Sequence, residues 1–290
     1  MEDDYRKAGR IAWQCLENGA RLIKPGASLL GVAEAIEKDI LSKADGLAFP
    51  VNMSLNNQAA HYTPGIEDSA VFGNEVVKLD VGAHVKGCIG DTAITIDLSG
   101  EHGKLVEASE KALDEAIAMI KPGVNSREIG AVIEATINKA GFRPIANLSG
   151  HVMEPYQLHT GLGIPNVAAT AGFPLEEGMV IAIEPFASAG RGHVAEDRRV
   201  EIFSVNSDEQ TRNPDGRKIV AYANKLYKNF PFAERWLTPA CHGLSLKIAL
   251  REIVSKEIFQ PYPILIDSGL VSQAEKTIIV TADGCEVTTR

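Results

Sequence analysis

The order of apolar and polar positions along this chain of 290 residues predicts one arrangement of elements written twice. Ala8, Ile11, Cys15 and Leu22 fall on one face at helical spacing, and Pro25-Gly26 then breaks the helix. Ile23-Lys24-Pro25-Gly26 recurs 97 residues later as Ile120-Lys121-Pro122-Gly123, and Leu16, Ile36 and Glu37 match Leu113, Ile133 and Glu134 at the same offset. Each copy therefore reads as two helices around a Pro-Gly break, with Ser28 in one and Asn125 or Ser126 in the other available to cap the second helix. Asn52-Met53-Ser54 and Asn147-Leu148-Ser149 follow, and a histidine comes after each. Apolar runs ending in a carboxylate come next, Val76 to Asp80 and Val180 to Glu184. Asp91-Thr92-Ala93-Ile94 and Glu275-Lys276-Thr277-Ile278 each open a further strand with a carboxylate. The order common to both halves predicts a duplicated α/β core.

The second copy is interrupted. Asp80 and Asp91 stand 11 residues apart, Glu184 and Glu275 stand 91 apart, and so about 80 residues are inserted. Residues 219–227, 233–236 and 244–256 look helical, which predicts a helical subdomain over 193–262. Trp236, Leu244, Ile248, Ile253 and Ile258 are expected to pack it onto the core, in place of a solvated linker. Residues 1–192 and 263–290 make up the rest.

Composition narrows the classes. Lys and Arg number 29 against 38 Asp and Glu, so the net charge of -9 offers nucleic acid no footprint. No apolar run is long enough to span a bilayer, and the acidic start Met1-Glu2-Asp3-Asp4 is unlike a signal peptide. Four scattered cysteines without a C-x-x-C fit reduced thiols and a cytoplasmic protein. The Asn-x-Ser sequences at Asn52 and Asn147 are then chance matches. No phosphate-binding loop and no G-x-S-x-G elbow is present.

Asp80 and Asp91 bracket a hairpin with its turn near 85–87, which makes them cross-strand neighbours, directly or diagonally. Taken alone, two solvated hairpin aspartates are an equal reading. Pseudo-two-fold symmetry would bring Glu184 and Glu275 against them, and four carboxylates flanked by Val77, Leu79, Ile181 and Ile183 require cations. An oxygen-rich set with one or two imidazoles suits one or two ions of Mn, Fe or Co better than a closed zinc site. His61, His151 and His159 lie in polar loops beside the carboxylate strands and are the candidate functional histidines. His84, His102, His193 and His242 are read as surface or core residues.

These residues resemble a known family. Phe49-Pro50-Val51-Asn52, His61-Tyr62-Thr63-Pro64, Lys78-Leu79-Asp80-Val81-Gly82 and Asp91-Thr92-Ala93 are similar to motifs of the type 2 methionine aminopeptidases. So are Ser149-Gly150-His151, Leu158-His159, Ile183-Glu184-Pro185-Phe186 and Gln273-Ala274-Glu275-Lys276-Thr277. The resemblance runs from the first helix to Thr289, and the insertion is what separates type 2 from type 1. It implies the pita-bread fold, an α/β (α+β) architecture of duplicated halves with a curved antiparallel sheet. A start directly at the catalytic domain implies the archaeal type.

By the same resemblance, Asp80, Asp91, His151, Glu184 and Glu275 are the ligands of two divalent metal ions (Co, Mn, Fe, Zn or Ni), with Asp91 and Glu275 bridging. A metal-bound hydroxide would attack the carbonyl of the initiator methionine of nascent chains, with Glu184 as general base. His61 and His159 would bind the scissile amide and stabilise the tetrahedral intermediate, and His61 matches the histidine that epoxide inhibitors alkylate. Phe49, Leu158, Phe186 and Tyr262, with the two histidines, would surround the substrate, whose second residue should be small. The protein's own Met1 precedes Glu2 and should be retained. A monomer is expected. The substrate class makes the ribosome a candidate partner, though no basic patch supports it. Two rivals share the fold: an Xaa-Pro-directed metallopeptidase, and a binding protein without catalysis.

Overall fold

The structure is a computed structural model that describes residues 1–207, 209 and 211–290. The first copy runs α1 (Glu2–Ala20), α2 (Leu29–Leu41), β1 (Gly46–Leu47), β2 (Asn52–Leu55), β3 (Gln58–Ala60), β4 (Val76–Val85) and β5 (Cys88–Asp97). The second runs α3 (Gly103–Ala118), α4 (Ser126–Lys139), β6 (Arg143–Pro144), β7 (Ser149–Met153), β8 (Gly163–Pro165), β9 (Val180–Ile183) and β10 (Phe186–Ser188). Then come β11 (Ala195–Val205), α5 (Pro214–Leu226), β12 (Phe232–Ala233), a short 3-10 helix (Glu234–Leu237), α6 (Gly243–Ser255) and β13 (Phe259–Ile266). The chain closes with β14 (Val271–Gln273), β15 (Lys276–Val280) and β16 (Cys285–Val287). Among the described residues no helix is long and apolar enough to cross a membrane, and all four cysteines are free.

The repeat is visible in three dimensions. Helices α2 and α4 begin at Leu29 and Ser126, the same 97-residue offset. Ser28 caps α2 by accepting from the Gly31 amide, and Asn125 caps α4 in a reciprocal box with Glu128. In the first half α1 and α2 pack Ala8, Cys15, Leu16, Leu29 and Ile36 against Met53, Leu79 and Val81 of the sheet. In the second half α3 and α4 pack Ala112, Ile129 and Ile133 against Ile181, Ile183 and Ile278. Leu22 departs from the expected face. It lies past the end of α1 and is 42% exposed.

Among the described residues every strand pairing is antiparallel. In the first half β4 pairs β5 on one side and β1 and β2 on the other. In the second, the order is β16-β15-β9-β7-β8. An antiparallel bridge between Ala93 and Glu275 joins the two. Threonines seal that seam: Thr92 Oγ1 donates to the Glu275 carbonyl at 2.9 Å, Thr95 Oγ1 to the Gln273 carbonyl at 2.7 Å and Thr277 Oγ1 to the Asp91 carbonyl at 2.8 Å.

The inserted segment is not only helical. Helices α5 and α6 and the 3-10 turn lie where the pattern places them, but β11 and β13 flank them and pair along most of their length. Strand β13 continues past residue 262 and pairs β3 of the first half. Leu244 and Ile248 are 73% and 55% exposed. Their four-residue spacing puts them on the outer face of α6, while Leu246, Ala249, Leu250 and Ile253 face the core.

Gly90 lets α1 approach the central hairpin. A Cβ there would lie 2.5 Å from the backbone of Ala8 and Gly9, which cannot yield as a side-chain tip can. Gly90→Ala should therefore lower unfolding stability by ~1–3 kcal/mol, read as a lower urea midpoint. An unchanged midpoint would show that α1 is free to ride outward.

Candidate metal centre and active-site cavity

The hairpin fixes the first two carboxylates. Val85 pairs Cys88, so the loop is Lys86-Gly87, both with positive φ (51° and 87°), the two-residue turn that matches strand twist. Counting back, Asp80 lies opposite Ala93 and Asp91 opposite Gly82, which makes the two aspartates diagonal neighbours on one face. Asp91 stands inside β5 and does not open it, because the turn uses only two residues.

The second pair is placed differently. Glu184 follows the last residue of β9 and Glu275 precedes the first of β15. Ile183 pairs Lys276, so the two glutamates occupy the next rung, directly across from each other. The Ala93–Glu275 bridge sets that rung beside the aspartates. His151 on β7 lies opposite Ala182, two residues before Glu184 and on the same face. Its Nε2 is 3.6 Å from Asp91 Oδ2 and 3.7 Å from Glu184 Oε1. Asp91, His151 and Glu275 each present a donor atom within 4.8 Å of the others.

Such a cluster cannot be fully charged by itself. Burial pushes the Asp80 carboxyl up to about 7, opposed by a hydrogen bond from Gln273. Burial, and then the neighbouring carboxylates, raise Asp91, Glu184 and Glu275 well above the usual range. Gln273 softens the repulsion, with Nε2 donating at 3.4 Å to Glu184 and 3.3 Å to Glu275, and the Thr92 backbone N–H does the same for Asp91. Among the described residues Asp80 Oδ1 and Asp91 Oδ1 are buried with no hydrogen-bond partner. Orphaned carboxylate oxygens grouped with an imidazole are what a divalent cation satisfies, so the donors present fit one.

A cavity of about 80 Å³ opens over these residues, lined by all five together with Phe49, His61, Leu158, His159 and Tyr262. His61 takes a left-handed φ of 67°, and its Nδ1 lies 3.1 Å from the Pro263 carbonyl. Burial lowers its pKa, so it is neutral near pH 7; Nδ1–H donates to that carbonyl and Nε2 is left as an acceptor. Burial, then His61, push His159 down to about 4, and its ring meets that of His151 edge-on at 4.4 Å. His61 and Tyr262 are likewise edge-on at 5.5 Å.

Phe186 is a correction to the expected lining. It is 1% exposed and packs with Ala59, Ile145, Val194 and Val271, outside the cavity wall. The chain turns between Glu184 and Phe186, where β10 leaves β9's sheet to pair β14 and β6. The cavity also uses Asn52, Ala60, Ile202 and Pro231, none foreseen as site residues. Asn52 had a signal in its motif and sits directly opposite Asp80. Gln273 had one too, two residues before Glu275. Ile202 and Pro231 carried none. His84, His102, His193 and His242 do not line the cavity.

Residues 3–210 match metallopeptidase family M24. The chain belongs to that family. Over 98% of its length it is 44% identical to a methionine aminopeptidase of Methanocaldococcus jannaschii, covering 97% of that protein. It is 43% identical to the methionine aminopeptidase of Thermococcus kodakarensis, with the same coverage. Among solved structures, a thermophilic Arx1 is similar with TM-score 0.85 at 19% identity, covering 99% of this chain and 89% of that one. The methionine aminopeptidase of Thermotoga maritima is similar with TM-score 0.72 at 23% identity, covering 99% and 96%. These neighbours share the duplicated pita-bread fold. An M24 metallopeptidase uses divalent metal, in agreement with the donor set.

The buried carboxyls make a pH signature for the metal-free M24 protein. Above about pH 7.5 the unfolded carboxyls are ionised and the histidines are neutral in both states. In the folded state Asp80 is pushed up to about 7, and burial and the neighbouring carboxylates raise Asp91, Glu184 and Glu275 well above the usual carboxylate range. Stability should then fall as pH rises above about 7.5, by up to ~1.4 kcal/mol per pH unit for each carboxyl still protonated. Denaturation after chelation measures this, and added Mn should flatten the slope. A flat metal-free profile would mean that the cluster is already ionised.

Proposed function

We propose that this M24 metallopeptidase removes the initiator methionine from polypeptides whose second residue is small, with two divalent ions held by Asp80, Asp91, His151, Glu184 and Glu275. The observation that carries the reading is the convergence of those five donors at one side of a narrow cavity walled by Phe49, Leu158, Ile202, Pro231 and Tyr262. The 38–44% identity to curated methionine aminopeptidases over nearly the whole chain supports the same substrate. Bound cations would supply Lewis acidity towards the scissile carbonyl and the attacking water.

The chain's own groups do the rest. Phe49, Leu158 and Tyr262 offer an apolar, partly aromatic wall to an unbranched thioether. Glu184, whose side chain keeps 15% exposure at the cavity, takes the proton of the attacking water at a carboxylate oxygen and passes it to the leaving amine. Neutral His61 offers Nε2 to the scissile amide N–H, and His159 can donate to the developing oxyanion. Residues 1–192 with 263–290 form the catalytic body in this reading, and 193–262 close one wall through Ile202, Pro231 and Tyr262. Nascent chains, met at or near the ribosome, are the proposed substrates.

After chelation, Met-Ala-Ser should be cleaved only when Mn, Fe or Co is restored, and Met-Glu-Ser should resist throughout. Cleavage of Xaa-Pro peptides in place of Met-Ala-Ser would select the proline-directed reading, and inertness towards both would select a binding protein. Glu184→Gln should slow turnover ~10²–10⁴-fold, and near-normal rates would remove Glu184 as the base.

A further inference from the structure

We infer that a buried ion pair between Arg235 of the inserted segment and Glu37 of α2 is a positioning device for His61 and the first-half wall of the cavity. It rests on the proposed function, because it assigns a role to the geometry of that site. Arg235 and Glu37 side chains are 7% and 8% exposed, and Arg235 Nη2 donates to Glu37 Oε1. Glu37 Oε2 accepts from Trp236 Nε1 at 3.0 Å, and Oε1 accepts from the Val51 amide at 3.4 Å. The other end of the guanidinium donates to Thr63 Oγ1 at 3.0 Å and to the Pro64 carbonyl at 2.9 Å. Thr63 Oγ1 in turn donates to the Val51 carbonyl at 2.8 Å. One guanidinium thus ties together the segment that carries Phe49 and Asn52 and the segment that carries His61.

A surface staple would not need this investment of buried charge, which adds little net stability over apolar residues of the same volume. What the pair adds is direction. His61 is held at φ 67°, a conformation a non-glycine residue keeps only where its surroundings over-determine it. On one side the Pro263 carbonyl holds the ring, and on the other Thr63 and Pro64 are pinned two and three residues away. The duplicated half shows what is particular to this arrangement. Glu134, the repeat partner of Glu37, also accepts a backbone N–H, from Ala168 at 2.8 Å. Among the described residues no arginine pairs with it, whereas the inserted segment brings Arg235 to Glu37. The insertion therefore reaches the catalytic geometry of the opposite half through Arg235.

The test is a double-mutant cycle on the metal-loaded full chain. Replacing both charges, Glu37→Met with Arg235→Leu, leaves no unpaired charge and should keep the fold. Thr63→Val leaves the ion pair and its bond to the Pro64 carbonyl intact and removes the hydroxyl that links the guanidinium to the Val51 carbonyl. Each should lower kcat by ~10-fold or more, the scale of a small misplacement of a reacting group, with bound metal and Tm little changed. In a His61→Ala background neither should lower kcat further. Arg235→Lys with Glu37 intact should recover only part of the rate, since an ammonium cannot span both partners as a fork does. Equal losses in both backgrounds would make the pair a general structural tie and overturn the inference. Normal kcat in the Thr63→Val variant and the double variant, with His61→Ala slowed, would overturn the inference alone. Normal kcat in His61→Ala would overturn the role of His61 as well. If the double variant does not fold, Thr63→Val decides.

Discussion

Four carboxylates and an imidazole buried at the junction of two half-sheets impose the constraint that the rest of this molecule serves. Electrostatically the arrangement opposes folding, since each charge raises the pKa of the next and each has lost water. It is held by everything around it. Two apolar layers, α1–α2 over one half and α3–α4 over the other, pack the outer faces of the sheets. The threonine hydroxyls of β5 and β15 fasten the inner seam where the carboxylates meet. Packing fixes the donors at spacings they would not choose, and a divalent cation relieves the result. Affinity for metal and the strain of the metal-free site are two sides of one arrangement.

Duplication alone does not make the cavity. The two halves supply carboxylates in related places, yet the pairs differ: the aspartates are diagonal across a hairpin and the glutamates face each other on one rung. Residues between β10 and β14 close the cavity on the remaining side. Ile202, Pro231 and Tyr262 complete a wall that neither half provides. Strand β13 reaches across to β3, and Pro263 on it holds the ring of His61. The insertion is thus part of the site and not an ornament beside it.

The paired helices of each half, the repeat and the hairpin with its aspartates were all legible in the chain, because each depends on local spacing or on a pattern repeated at one offset. Helix caps at Ser28 and Asn125 were legible for the same reason. The strands of the insertion were not, since β11 is largely exposed and polar over its first half and lacks an apolar alternation. Leu244 and Ile248 misled because an apolar residue on a helix does not state which face meets the core.

By itself the sequence determined which groups could do chemistry and in what order they come, since residue types, periodicity and loop length act over a few positions. It could not determine which side chains share a cavity. Phe186 lies one turn of chain from Glu184 yet points into another core, whereas Pro231 and Ile202 arrive from an insertion to stand over the donors. Those outcomes depend on how sheets twist and which edges meet, contacts between residues far apart in the chain. The Arg235–Glu37 pair is the clearest instance. Almost two hundred positions separate its partners, and only the packing of the inserted segment on the first half brings their charges out of water together.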